Sequence, residues 1–169
     1  MMKLRPFQAA DADIVAGWVR DERTQRWWSG GTYPAFPVTG ADMLSRYAPE
    51  AGEEPFFPMT AVDESGPVGH LAFRYTDPEH RVVRLFFVIV DADRRGERLG
   101  RQLIRLALEH AFLEMGAQRV TLGVFDTNPR AWRCYQSAGF RFVPREERKI
   151  MEVLGETWEA LDMAVDRPE

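Results

Sequence analysis

The uninterrupted apolar run Leu85-Phe86-Phe87-Val88-Ile89-Val90 passes through a turn rich in Arg and Gly straight into a helical repeat, and no other segment restricts the fold as much. Six consecutive apolar residues dominated by Phe, Val and Ile predict a strand, Arg81 to Val90, buried on both faces. Beyond the turn from Asp91 to Arg98, the residues Leu99, Leu103, Ala107, Ala111 and Met115 recur at every fourth position, with Ile104, Leu108 and Phe112 beside them. That spacing lays an apolar stripe along one side of a helix, and Gly116 is placed to end it. A strand covered on both faces requires a layer on each side of its sheet, and the helix supplies one of them.

The flanking pattern extends this unit into a domain. Met2 to Phe7 reads as a short opening strand, and Asp11 to Arg20 as a helix with Ile14, Val15 and Trp18 on one face. Asp21 to Pro58 reads as irregular, rich in Gly and Pro and studded with Trp27, Trp28, Tyr33, Phe36, Tyr47, Phe56 and Phe57, with one helix at Ala41 to Tyr47. Met59 to Val62 and Val68 to Tyr75 read as strands joined by the turn signal Glu64-Ser65-Gly66-Pro67. After the long helix come a strand at Arg119 to Phe125 and a helix opened by Asn128-Pro129 and closed by Gly139. Strands at Phe140 to Val143 and Trp158 to Val165 complete the pattern. The alternation predicts one α/β (α+β) domain over residues 1–169, a sheet with helices packed on it.

Composition narrows the function without naming it. The net charge is -4, so no global positive field recruits nucleic acid or an anionic membrane. Cys134 is the single cysteine, which leaves no intramolecular disulfide and no cysteine-rich metal site. The opening residues carry no signal-peptide pattern and no apolar stretch is long enough to span a bilayer, so the expected location is the cytoplasm. The aromatic residues before Met59 leave either a monomer or a homodimer open.

Against this acidic background, Arg94, Arg95, Arg98, Arg101 and Arg105 crowd the turn and the start of the long helix. The first N–H groups of a helix lack internal partners and, with the helix dipole, form a site for phosphate; glycine lets the main chain approach it closely. The alternative is a strand-to-helix turn with a solvated basic face. Neither G-x-x-x-x-G-K-[ST] nor G-x-G-x-x-G occurs here, which argues against a phosphate-binding loop for ATP and against a Rossmann dinucleotide site.

The segment Arg95-Gly96-Glu97-Arg98-Leu99-Gly100 resembles the coenzyme A pyrophosphate loop R/Q-x-x-G-x-G/A of the GNAT acetyltransferases, with Arg98 in place of the internal glycine. Downstream, Asn128-Pro129-Arg130-Ala131-Trp132-Arg133-Cys134-Tyr135-Gln136-Ser137-Ala138-Gly139-Phe140 is similar to that family's N-x-x-A-x-x-x-Y-x-x-x-G-F segment, one helix and one strand later as the family's order requires. The resemblance covers roughly residues 68–143, which it marks as the acetyl-CoA-binding core. Residues 1–58 are the variable acceptor-side region, loosely similar to the branch that acetylates the N-termini of ribosomal proteins. It implies a mixed, mostly antiparallel sheet of about six to seven strands, splayed at the centre and flanked by about four helices. It also implies transfer of an acetyl group from acetyl-CoA to a primary amine, on a small molecule or a protein N-terminus, by direct attack in a ternary complex. A non-catalytic acyl-CoA sensor or a transferase for a longer acyl group on the same scaffold are the alternatives.

The resemblance assigns Val88, Ile89 and Val90 to the coenzyme arm, with a backbone N–H near Val90 polarising the thioester. It assigns Arg95, Gly96, Glu97, Arg98, Leu99, Gly100 and Arg101 to the pyrophosphate, with Asn128 and Arg133 nearby. Arg98 either takes a strained positive φ or stays helical and offers its guanidinium to a phosphate; the resemblance favours the second. Asn128 is either a coenzyme contact or a plain N-cap. Tyr135 is the implied general acid, a phenol positioned to protonate the leaving thiolate, unless it is a packed tyrosine. The strand from Arg81 to Val90 contains no carboxylate, so the base is open between His70, Asp126, Glu54 and a water relay. Trp27 and Trp28 either line the acceptor pocket or form a peripheral cluster, and Cys134 is expected to be an inert packed thiol.

Overall fold

The computed structural model describes residues 1–49, 54–94 and 96–169. In chain order the elements are β1 (Lys3–Pro6), a 3-10 turn (Ala9–Asp11), α1 (Ala12–Ala16), α2 (Glu22–Ser29), α3 (Gly40–Tyr47), β2 (Phe56–Asp63), β3 (Gly66–Tyr75) and β4 (Val82–Val90). There follow α4 (Leu99–Glu109), extended by one wider turn at His110–Glu114, then β5 (Arg119–Phe125), α5 (Pro129–Ser137), β6 (Arg141–Val143), β7 (Lys149–Val153) and β8 (Glu156–Asp166). No helix among the described residues is long and apolar enough to cross a membrane.

The eight strands form one sheet in the order β1-β2-β3-β4-β5-β8-β6, with β7 also paired to β8. Every pairing is antiparallel except β4 with β5. That parallel contact is short: Val82, Val83 and Arg84 pair with Arg119, Val120 and Thr121, and beyond them the strands diverge. The expected mixed sheet, splayed at its centre, is therefore present, with eight strands and five helices among the described residues.

Two apolar clusters cover its two sides. One packs α4 and α5 on the sheet through Leu71, Phe73, Val83, Leu85, Leu103, Ile104, Val120 and Leu122. The other gathers Val15, Trp18, Trp28, Tyr33 and Met43 from α1, α2, α3 and their loops. Gly40 allows α3 to lie against α1, since a Cβ there would come within 2.8 Å of the Asp13 backbone nitrogen. The start of this layer is pinned by buried Asp11, which accepts from both Arg5 guanidinium nitrogens (2.7 and 2.9 Å), Thr60 Oγ1 (2.7 Å) and the Gln8 amide (2.9 Å). Burial works against this carboxylate, but the Arg5 guanidinium and the other donors outweigh it and hold its pKa at about 2.

The structure departs from the sequence reading at three elements. Glu22–Ser29, within the stretch read as irregular, is a helix whose N-cap Asp21 accepts from the Thr24 amide at 2.7 Å. Lys149–Val153 is a strand, joined to β8 by a two-residue hairpin in which Leu154 (φ 52°) and Gly155 (φ 76°) are both left-handed. Third, β4 is not buried throughout: Leu85 is, but Phe86 to Val90 are half-buried because β5 has moved away from them.

Candidate active site

The divergence of β4 from β5 opens a cleft of about 490 Å³ through the middle of the sheet. Leu85 to Ile89 form one wall and Leu122 to Phe125 the other, while Asn128, the N-cap of α5, with Ala131 and Tyr135 of that helix, closes it from one side. Trp27 and Trp28 of α2, with Ser29 to Thr32, close it from the opposite side. Both tryptophans therefore border the opening rather than a remote cluster.

Local backbone distortion shapes the β4 wall. His70 pairs with Ile89, but Ala72 pairs with Phe86, so β4 carries a bulge between them, and Phe87 takes φ 56°, a conformation that costs an aromatic residue energy. The inserted residue reverses the alternation of the strand. Before it Val83 and Leu85 face α4; after it Val88 and Val90 do, while Phe87 and Ile89 turn toward α1 to α3. Trp28 Nε1 donates to the Phe87 carbonyl oxygen at 2.8 Å and clamps the bulge. The Phe87 ring packs among Trp28, Tyr33, Tyr47 and Phe56.

β4 delivers the chain to the turn before α4. Gly96 (φ 86°) and Arg98 (φ 57°) are both left-handed. Arg98 thus does not keep a helical conformation: it is the N-cap of α4, in the positive-φ state that a glycine would hold without strain. It makes no side-chain cap, so the first N–H groups of α4 remain available to an anion. Leu99 is buried beneath them, and Gly100 faces Cys134 of α5, where a Cβ would make an ordinary contact with Sγ at 3.5 Å. Not every arginine of the turn is free for a ligand. Arg94 is taken by Asp63 (2.8 Å) and Glu97 (2.8 Å), and this pairing also removes the Glu97 charge from the helix start. Arg98 and Arg101 border a separate groove along α4. Arg95 lies outside the described residues.

On α5, Asn128 lines the cleft and makes no cap hydrogen bond, so it is not a simple N-cap. Tyr135 is buried, packs beside Phe140 and lines the cleft; burial pushes its phenol well above the ordinary value. Arg133 is turned outward, stacked over Trp132 at 5.2 Å. Burial raises the Cys134 thiol, which suits a packed rather than a nucleophilic residue.

The expected bases are elsewhere. His70 is fully buried between Phe7 and Tyr47, shares a 2.8 Å hydrogen bond with Tyr47 Oη, and does not line the cleft. Burial depresses its pKa to about 4. Asp126 accepts from the Glu159 amide at 2.8 Å, and Glu54 is 3.7 Å from His80. Sequence reasoning also missed residues that line the cleft: Arg46, Arg74, Arg84, Arg145 and Lys149. The only signal was the placement of Arg74 and Arg84 in otherwise apolar strands. Among the described residues no cluster of His, Cys, Asp and Glu could hold a metal ion.

This geometry agrees with comparisons to known proteins. The model of the acetyltransferase (GNAT) family matches residues 21–140. Aminoglycoside N(6')-acetyltransferases type 1 of Klebsiella pneumoniae and Serratia marcescens are each 28% identical over 151 residues, covering 81% of this chain and 72% of theirs. Among solved structures, spermidine N-acetyltransferase from Vibrio cholerae in complex with CoA and spermine superposes with a TM-score of 0.77 at 18% identity, over 98% of this chain and 95% of that one. An aminoglycoside acetyltransferase in complex with ribostamycin and coenzyme A gives 0.73 at 22% identity, over 98% and 93%. With most of its length matched by that family model and its sheet parted ahead of an uncapped helix, the chain belongs to the GNAT acetyltransferases.

Proposed function

We propose that this protein transfers the acetyl group of acetyl-CoA to a primary amine of a small molecule, by direct attack in a ternary complex. The observation that carries the reading is the cleft between β4 and β5, walled by the bulge at Phe87, on the strand that leads through a turn into the uncapped start of α4. The coenzyme arm would lie along Val88 to Val90, pairing with main-chain groups as an added strand does. Its pyrophosphate would meet the amides at Gly96 to Arg101, together with Arg95. An amine entering from the side of Trp27 and Trp28 attacks the thioester carbon; the C–N bond forms as the C–S bond breaks. Tyr135 is the donor for the departing sulfur: its raised pKa keeps the hydroxyl protonated through the neutral range, so it serves as an acid and not as a base. No carboxylate or histidine lines the cleft among the described residues, so the amine loses its proton to water.

The acceptors named for the relatives, an aminoglycoside and spermidine, are amines with several ammonium groups. They support the reaction class. Incubation with acetyl-CoA and a broad amine panel, following release of the coenzyme thiol, tests the proposal. Thiol release that depends on an amine supports it, whereas stabilisation by coenzyme A with no release for any amine replaces it with a sensor.

A further inference from the structure

The acceptor side of the cleft is cationic. Arg46, Arg74, Arg84, Arg145 and Lys149 line the cleft, and no aspartate or glutamate does among the described residues, in a chain whose net charge is -4. These charges are not equivalent. Arg84 and Arg145 share Asp162, at 3.0 and 2.6 Å, and are largely neutralised by it. Arg74 has no carboxylate partner among the described residues; its guanidinium carbon lies 5.1 Å from the Phe56 ring centroid, and its Nε is buried without a hydrogen bond. It also sits directly across the β3–β4 ladder from Arg84, a like-charged pairing that destabilises a sheet. Arg46, in the last turn of α3, opens with Arg74 onto both the cleft and an adjoining hollow of about 320 Å³. Glu54, which also lines the hollow, lies 3.7 Å from His80 Nε2.

A buried donor without a partner and like charges held side by side both cost stability. They persist readily where a ligand of opposite sign completes them. We infer that the acceptor amine carries an anionic group, a carboxylate or phosphonate, which Arg74 holds with the help of Arg46 while the amino group points to the bulge at Phe87. The inference rests on the acetyl-transfer reading and sets the substrate class within it. Arginine suits the task because its planar fork meets a carboxylate or phosphonate through two parallel hydrogen bonds. A polyamine or an aminoglycoside would bring ammonium groups to a wall of the same sign, and the chain would have to differ from those relatives in this respect.

The test compares, with acetyl-CoA as donor, ω-amino carboxylates and aminoalkylphosphonates of increasing length, the n-alkylamines that lack the acid, spermidine and kanamycin. The anionic amines should show the highest kcat/KM. Arg74→Gln should lower that value for them about tenfold to a hundredfold, chiefly through KM, while the value for the alkylamines falls far less. A preference for spermidine or kanamycin, or an Arg74→Gln variant that treats acids and alkylamines alike, overturns the inference without touching the acetyl-transfer reading. If no amine releases thiol, that reading fails, and calorimetric titration of the coenzyme-A-loaded protein with the same compounds still decides: binding of the acids that Arg74→Gln abolishes supports an anion site, and binding of spermidine alone refutes it. Should Arg74→Gln fail to fold, Arg46→Gln carries the same comparison.

Discussion

Arg98 stands in a left-handed conformation where the family's loop pattern has glycine, and a non-glycine residue there bears about 1–2 kcal/mol of strain. Arg98→Gly relieves that strain while adding freedom to the unfolded chain, so the melting temperature should stay the same or rise slightly. If the guanidinium also meets a coenzyme phosphate, the KM for acetyl-CoA should rise several-fold in the same variant; an unchanged KM would leave the backbone alone as the phosphate cradle. Tyr135→Phe removes only the hydroxyl of a buried side chain, so folding is retained and kcat should fall by about a hundredfold with little change in KM. An unaltered kcat removes Tyr135 from the proton-donor role. The presence of Arg98 and Tyr135 in their motifs was readable in the residues themselves. The left-handed conformation of Arg98 was the less favoured of two readings, raised only by the glycine of the family pattern, because the turn around the arginine and not its residue type imposes that φ.

Among the elements, β4, its turn and α4 were legible because each carries a strong local signal: six apolar residues in a row, then an apolar residue at every fourth position. The bulge was not. A continuous apolar run has no alternation to break, so an inserted residue at Phe87 cannot be seen in it. α2 escaped for a different reason: its buried Gln25 is satisfied by the Tyr33 and Ala35 carbonyls and the Val38 amide, so a polar residue occupies a core position and hides the helical period. β7 is a short, largely exposed edge strand whose hairpin uses a left-handed Leu154 in place of the usual Asn or Gly. The clamp between α2 and β4 gives a prediction at this scale. Trp28→Phe keeps the ring but leaves the Phe87 carbonyl oxygen without its donor, which should cost about 1–3 kcal/mol in denaturant unfolding and lower kcat/KM as the bulge relaxes. Full activity with reduced stability would separate the clamp from catalysis.

At the scale of the molecule, buried His70 ties stability to pH. Its pKa falls from 6.5 to about 4 on folding, so between those values the unfolded chain binds the proton more readily. Stability is full above about pH 6.5 and is lost as the pH falls toward 4, by on the order of 3 kcal/mol. The loss of the Asp11 contribution follows only as the pH drops from its ordinary 3.8 toward about 2. Melting temperatures measured across this range should show the first decline, and His70→Gln should flatten it. The two apolar clusters lie on opposite sides of one sheet, with α4 and α5 on one side and α1 to α3 on the other. Their energetics are therefore separable: Ile104→Val on one side and Val15→Ala on the other should add within about 0.5 kcal/mol. With donor and acceptor placed as proposed, such independence would let one half of the molecule be rewritten by mutation while the other is inherited intact, so a lineage could exchange acceptors without relearning how to hold its donor.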